Sequence, residues 1–215
     1  MEILATAIAF LLSLLVFSFI VHEALYERED VFDQAVIRFF DAHSSAGFIN
    51  IMKGITFFGS TTFLFPAYIV LIARYLSRKD FQNAVEIAVI GSSSTAMMFG
   101  LKQFFHRQRP QLPILQGISG YSFPSGHALS SFIFCSILIY LLRKENLPTI
   151  QKNVLTTLLI VAALLIGLSR VVLNVHYATD VIGGFCMGFM WVIISFAILK
   201  KFRKNTRTDE TLPVS

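Results

Sequence analysis

Residues 154–180 read VLTTLLIVAALLIGLSRVVLNVHYATD: an apolar run over 154–173 that closes on Arg170 and is followed at once by His176 and Asp180. At about 1.5 Å per residue, roughly 20 such positions cross the ~30 Å apolar core of a bilayer, so this run is a membrane-spanning helix. An ionisable group in or beside such a helix is costly and needs a partner or a task. Working outward, Lys102, Arg109 and His127 also sit beside apolar runs. Together these side chains comprise permanent cations, two imidazoles and one carboxylate four residues after the second imidazole. That combination suits a phosphate handled at a membrane surface.

The whole chain agrees with its most apolar part. Of its 215 residues, 55% are apolar and 14% charged, and the mean hydropathy of +0.67 lies outside the soluble range. Apolar runs occur at about 3–21, 54–73, 84–101, 127–142, 154–173 and 181–199, the third and fourth being short. The expected fold is all-α and integral to the membrane: a six-transmembrane-helix bundle forming one domain over 1–204, with 205–215 a disordered cytoplasmic tail. The net charge of +5 raises the question of nucleic acid, but no basic face with interleaved aromatics emerges. Nucleic acid is not expected as a partner.

The basic residues report topology instead. Arg74, Arg78 and Lys79, then Arg143, Lys144 and Lys152, then Lys200, Lys201, Arg203, Lys204 and Arg207 lie after the second, fourth and sixth runs. The positive-inside rule puts these segments and the C-terminus in the cytoplasm. Linkers 22–53, 102–126 and 174–180 then face outward, and the suspected chemistry with them. The first run lacks a basic flank and a clear cleavage site, so it is expected to be a retained helix. Cys135 and Cys186 fall within spans and provide no outer disulfide framework.

Segment 30–41, DVFDQAVIRFFD, places Val31, Phe32, Ala35, Val36, Phe39 and Phe40 on one stripe, with Asp30, Asp33, Arg38 and Asp41 largely off it. It is expected to form a short interfacial helix on the outer face, either flat on the membrane or packed on the spans. Gly184 and Gly188 fit close packing within the bundle more readily than a dimer contact, and the oligomeric state stays open.

Three motifs carry the chemistry. The first, KQFFHRQRP over 102–110, sets Lys102 and Arg109 beyond the third run, a movable point charge and a planar fork for phosphoryl oxygens. Alone it is weak evidence, since basic pairs flanking a membrane helix most often snorkel to the headgroups. The second, FPSGH over 123–127, leads into the fourth span, where Ser125 and the Gly126 amide at a helix N-terminus favour an anion. His127 is placed to protonate a leaving group, although a simple helix cap would leave the same trace. The third, Ser169-Arg170 followed by His176 and Asp180, offers an imidazole that a carboxylate can orient for attack, or a structural pair capping a helix.

Taken in order, K-x6-RP, PSGH and SR-x5-H-x3-D resemble the signature of the type 2 phosphatidic acid phosphatase superfamily, over residues 102–180 and with every motif position filled. The six-span layout resembles its membrane-bound lipid phosphatase branch. The resemblance implies that His176 attacks phosphorus to give a phosphohistidine, that Asp180 orients it, and that His127 protonates the leaving alkoxide and later activates water. It also implies that Lys102, Arg109, Ser125, Gly126 and Arg170 hold the phosphoryl oxygens. His106 and Arg107 fall in the variable gap of the first motif and are expected to be loop filler or headgroup contacts.

The implied enzyme is a metal-independent hydrolase of lipid phosphomonoesters or diphosphates, with no cofactor, resistant to chelators and inhibited by vanadate. The slim stretch Gly91-Ser92-Ser93-Ser94-Thr95 suggests a lateral opening for a lipid tail. Phosphatidylglycerophosphate, phosphatidic acid, undecaprenyl diphosphate and lipid A phosphates all meet these requirements, and the residues do not choose among them. A lipid-to-lipid phosphotransferase would use the same site. A non-enzymatic transporter of anionic lipids would account for the cations but not for both imidazoles with Asp180, and a vanadium haloperoxidase does not suit six spans.

Overall fold

In the computed structural model, residues 2–23 and 31–209 are described, and among them there is no strand. The helices are α1 (Glu2–Val21), α2 (Val31–His43), α3 (Ala46–Phe57), α4 (Thr61–Ser77), α5 (Phe81–Phe105), α6 (Gly126–Lys144), α7 (Thr149–Val172) and α8 (Ala178–Asp209). Six stretches are long and apolar enough to cross a membrane: Ile3–Val21, Ala46–Ser77, Phe81–Phe105, Gly126–Lys144, Thr149–Val172 and Ala178–Arg203. The expected six-span bundle is therefore present. Its outer surface is apolar, with Leu4, Leu11 and Leu15 of α1 and Leu158 and Leu164 of α7 exposed, as a lipid-facing surface requires.

Helix α6 is the centre of the bundle, packed against α5, α7 and α8. Its Leu129, Ile133, Ile137 and Leu141 form the largest core with Ala84, Ile87 and Ile90 of α5 and Val192 of α8. Helix α8 can lie close to α6 because Gly184 and Gly188 face it. A Cβ on Gly184 would lie 2.9 Å from the Ser125 carbonyl oxygen, and one on Gly188 would lie 3.2 Å from Phe132. The glycine stripe is thus spent on contacts inside the bundle.

The structure departs from expectation at several places. The second span is two helices, α3 and α4, broken at Phe58-Gly59-Ser60, with Ser60 capping α4 through the Phe63 amide at 3.3 Å. The third and fourth spans are not short: α5 runs to Phe105 and α6 to Lys144. The serine-rich stretch of α5 stays helical because its hydroxyls turn back on the helix. Ser92 donates to Ala88 O at 2.7 Å, Ser93 to Val89 O at 2.6 Å and Thr95 to Gly91 O at 2.9 Å. Helix α8 continues to Asp209, into the expected disordered tail, because no Gly or Pro interrupts propagation there. The rest of that tail, 210–215, lies outside the described residues, as do Glu27 and Asp30.

Helix α2 resolves the two readings of segment 30–41. Val36 and Phe40 pack on α7 and α8 while Val31, Phe32 and Phe39 stay exposed. Asp33, expected off the buried stripe, is only 1% exposed. It shares a face with Val36 and Phe40 at i+3 and i+7, and its charge is satisfied by partners in the site described below.

At the opposite end of the bundle the basic linkers gather. Arg78 meets Glu145 at 3.1 Å, and Arg203 of α8 clasps the buried Glu86 of α5 through both carboxylate oxygens. Substituting Gly184→Ala forces α6 and α8 apart at a backbone oxygen. We expect it to lower stability by about 1–3 kcal/mol, read as a reduced Tm of the detergent-solubilised protein relative to wild type.

Candidate active site

Lys102 closes the last turn of α5, Gly126 and His127 open α6, Arg170 closes α7, and His176 and Asp180 flank the start of α8. Alternating helix direction brings these ends to one side of the bundle. The loop 106–125 crosses above them with little regular structure, and its carbonyls, unclaimed by a helix ladder, accept from the cations. Lys102 Nζ donates to Tyr121 O at 2.6 Å. Arg109 donates from Nε to Gly120 O at 2.9 Å and from Nη1 to Val175 O at 2.8 Å.

His176 is 2% exposed and Asp180 has no exposure. His176 Nδ1 lies 3.4 Å from Asp180 Oδ2, and a third group stands between them. The Ser122 hydroxyl donates to Asp180 Oδ2 in a short hydrogen bond and lies 3.2 Å from His176 Nδ1. A serine has one proton to give. Because it goes to the carboxylate, Nδ1 must carry its own hydrogen and donate to Ser122, which leaves the lone pair on Nε2. That atom faces Arg109 Nη1 at 3.1 Å. Burial pushes the His176 imidazole down to about 4, against the opposing pull of the Asp180 carboxylate, and burial likewise lowers Arg109.

A cavity of about 870 Å³ is lined at its polar end by Lys102, Arg109, Gly126, His127, Arg170 and His176. Both imidazoles and all three expected cations thus share one space. Arg170 donates from Nη1 to Thr56 of α3 at 2.6 Å, while its buried Nε has no partner. The cavity then continues between α4 and α5 past Leu64, Tyr68, Gly91 and Ile72 to Ile87. Ile87 lies about 22 Å below Lys102 along α5 at ~1.5 Å per residue.

Ser125 is one of two expected site residues that do not line the cavity. It is fully buried and absent from the cavity wall; its hydroxyl caps α6 by accepting from Ala128 N at 3.5 Å. Asp180 is also off the wall, and its Oδ2 meets Ser122 and His176. Arg107, expected to be loop filler or a headgroup contact, has a side chain only 8% exposed and bonded to both Asp180 and Asp33. Ser122, Arg107 and Asp33 were not legible as site residues because each partner is far away in sequence. The available signal was the position of Asp33 in register with Val36 and Phe40.

A family model described as the PAP2 superfamily matches residues 83–204. The chain belongs to the PAP2 superfamily. Phosphatidylglycerophosphatase B of Bacillus subtilis (strain 168) is 33% identical over 161 residues, 74% of this PAP2 chain and 76% of that protein. The crystal structure of a transmembrane PAP2 type phosphatidylglycerolphosphate phosphatase from Bacillus subtilis matches with a TM-score of 0.77 and 26% identity, covering 91% of this chain and 96% of that one. Aquifex aeolicus LpxE shares the fold, with a TM-score of 0.59 at 23% identity over 76% of this chain and 94% of its own. The PAP2 chain is a multi-pass membrane protein of the membrane-bound lipid phosphatase branch, as its motifs implied.

Since burial holds His176 neutral, 15N NMR of the solubilised protein at pH 7 should show a hydrogen on Nδ1 and none on Nε2. Lowering the pH should protonate the ring only through about pH 4. A midpoint near the ordinary ~6.5 or the opposite tautomer would contradict this assignment.

Proposed function

We propose that this protein is a lipid phosphatase that releases inorganic phosphate from a membrane lipid by way of a phosphohistidine on His176. The observation that carries this reading is the single cavity whose polar end gathers two imidazoles and three cations and whose apolar arm descends between α4 and α5. A phosphate held by Lys102, Arg109 and Arg170 puts the attached tail into that arm.

In the first half-reaction Arg109 moves its donor from His176 Nε2 to a phosphoryl oxygen, and Nε2 attacks phosphorus. The bond from phosphorus to the lipid oxygen breaks as His127 gives that oxygen a proton. The cation developing on His176 is balanced by Asp180 through the Ser122 hydroxyl and directly. In the second half-reaction His127 takes a proton from water, the hydroxide attacks phosphorus, and the electron pair returns to Nε2 as phosphate leaves. The unpartnered Nε of Arg170 and the Gly126 amide are suited to the equatorial oxygens.

The charge that a metal brings to other phosphatases is supplied here by three side chains. Asp33 and Asp180, the carboxylates beside the site among the described residues, are both engaged by Arg107. The basic segments after α4, α6 and along α8 lie at the end away from the site, which supports an outward-facing site and a cytoplasmic C-terminus. The similarity to the Bacillus subtilis enzymes favours phosphatidylglycerophosphate among the candidate lipids.

The test is phosphate release by the purified protein from phosphatidylglycerophosphate, phosphatidic acid and undecaprenyl diphosphate. We expect His176→Ala to lose at least about 1000-fold in kcat and His127→Gln about 100- to 10,000-fold. EDTA should leave the rate unchanged and vanadate should inhibit it. Undiminished release by His176→Ala would refute the mechanism, and activity lost in EDTA and restored by Mg²⁺ would refute its metal independence.

A further inference from the structure

We propose that Arg107, braced by Asp33 of the interfacial helix α2, is a positioning residue that aims Asp180 and Ser122 at His176. This rests on the phosphohistidine reading of the same site. The guanidinium divides its fork: Nη1 donates to Asp180 Oδ1 at 2.7 Å and to Thr179 Oγ1 at 2.7 Å, and Nη2 donates to Asp33 Oδ2 at 2.8 Å. Asp33 in turn accepts from the Thr179 amide at 2.9 Å and from its hydroxyl at 2.5 Å, which ties α2 to the first turn of α8.

The placement of these bonds decides what they do. With Oδ1 taken by Arg107, only Oδ2 of Asp180 faces Ser122, and the Tyr177 amide fixes that oxygen further at 2.8 Å. A rotation of the carboxylate would break the link from Asp180 through Ser122 to the Nδ1 hydrogen of His176. Arg107 also holds the second member of that link, because its own carbonyl accepts from the Ser122 amide at 2.7 Å. Its guanidinium lies 4.3 Å from the centre of the Tyr177 ring, beside His176. One residue thus fixes both groups that orient the imidazole.

A carboxylate–guanidinium–carboxylate cluster buried at 8% or less exposure is costly to desolvate, and apolar packing would join two helices at lower cost. The attraction to Asp180 and Asp33 more than offsets burial and raises Arg107 above its usual range, so the guanidinium keeps its charge. Arg107 is absent from the cavity wall, which separates it from the phosphate-binding cations.

The experiment compares wild type, Arg107→Gln, Arg107→Lys, Asp33→Asn and His176→Ala as folded, detergent-solubilised protein. It measures kcat, KM and the inhibition constant for inorganic phosphate, the product, which the cations hold without a bond to His176. We expect Arg107→Gln to lower kcat about 100-fold and Asp33→Asn about 10-fold, by analogy with the roughly 10- to 100-fold effect of partners that orient a metal-bound imidazole. Arg107→Lys should recover part of the loss, with KM and phosphate inhibition within about twofold of wild type in the Arg107 and Asp33 variants. A kcat within twofold of wild type in either Arg107→Gln or Asp33→Asn overturns the proposal, and so does phosphate inhibition that weakens in proportion to kcat. If Arg107→Gln does not fold, Asp33→Asn decides by the same measures. Should His176→Ala match wild type, the phosphatase mechanism itself has failed. If His176→Ala is inactive while the Arg107 and Asp33 variants keep their kcat, only this inference falls.

Discussion

A carboxylate with no solvent exposure, Asp180, stands at the head of a helix in a membrane-spanning bundle, and its charge must be answered by groups brought from elsewhere. The first turn of α8 contributes the favourable end of its dipole and the Tyr177 amide. The remainder comes from Ser122 and Arg107 in one loop, and Arg107 in turn needs Asp33 from α2. Much of the tertiary arrangement at this end of the molecule follows. Loop 106–125 must fold back over α8, and α2 must lie across α7 and α8 rather than drift on the membrane surface. A helix that is amphipathic enough to float is instead pinned by one buried aspartate.

The cations pose the opposite difficulty, since Lys102, Arg109 and Arg170 converge with like charge in a low-dielectric space. Backbone carbonyls answer it. Residues 119–121 and 175 offer oxygens free of any helix ladder, and Lys102 and Arg109 take them. The absence of regular structure in this loop is therefore useful: a helix here would consume the acceptors that hold the charges apart and in place. Arg170, on a helix, finds no such carbonyl and turns to the Thr56 hydroxyl, keeping one donor for a ligand oxygen.

Hydropathy reveals what a bilayer constrains, so all six crossings were legible, and motif chemistry brought together Lys102, Arg109, His127, Arg170 and His176, which line one cavity. Averaging over a window also erased local detail. The break at Phe58-Gly59-Ser60 disappears in a run that is apolar on both sides, and the run Ser92 to Thr95 looks like a weakness in a helix that satisfies its own hydroxyls. Pairings such as Arg107 with Asp33, 74 positions apart, or Thr179 with Asp33, 146 apart, leave no periodic trace. Ser125 is ambiguous for a different reason. The same residue type at a helix start serves a cap or an anion, and only the direction of its hydroxyl distinguishes them.

The broken second span shows how the lipid-facing and polar parts of the site are joined. Helix α3 packs on α7 and delivers Thr56 to Arg170, while α4 packs on α5 and walls the apolar arm of the cavity. The junction between them passes directly against the proposed acid: a Cβ at Gly59 would lie 2.4 Å from Ile166 Cγ2 and 3.0 Å from His127 Cδ2. Only a residue without a side chain lets the backbone cross there. A continuous helix over 46–77 would keep a single axis and could not both lean on α7 at the end that carries the site and part from it farther away. The chain breaks where one span must hold an arginine at its head and make room for a tail beneath.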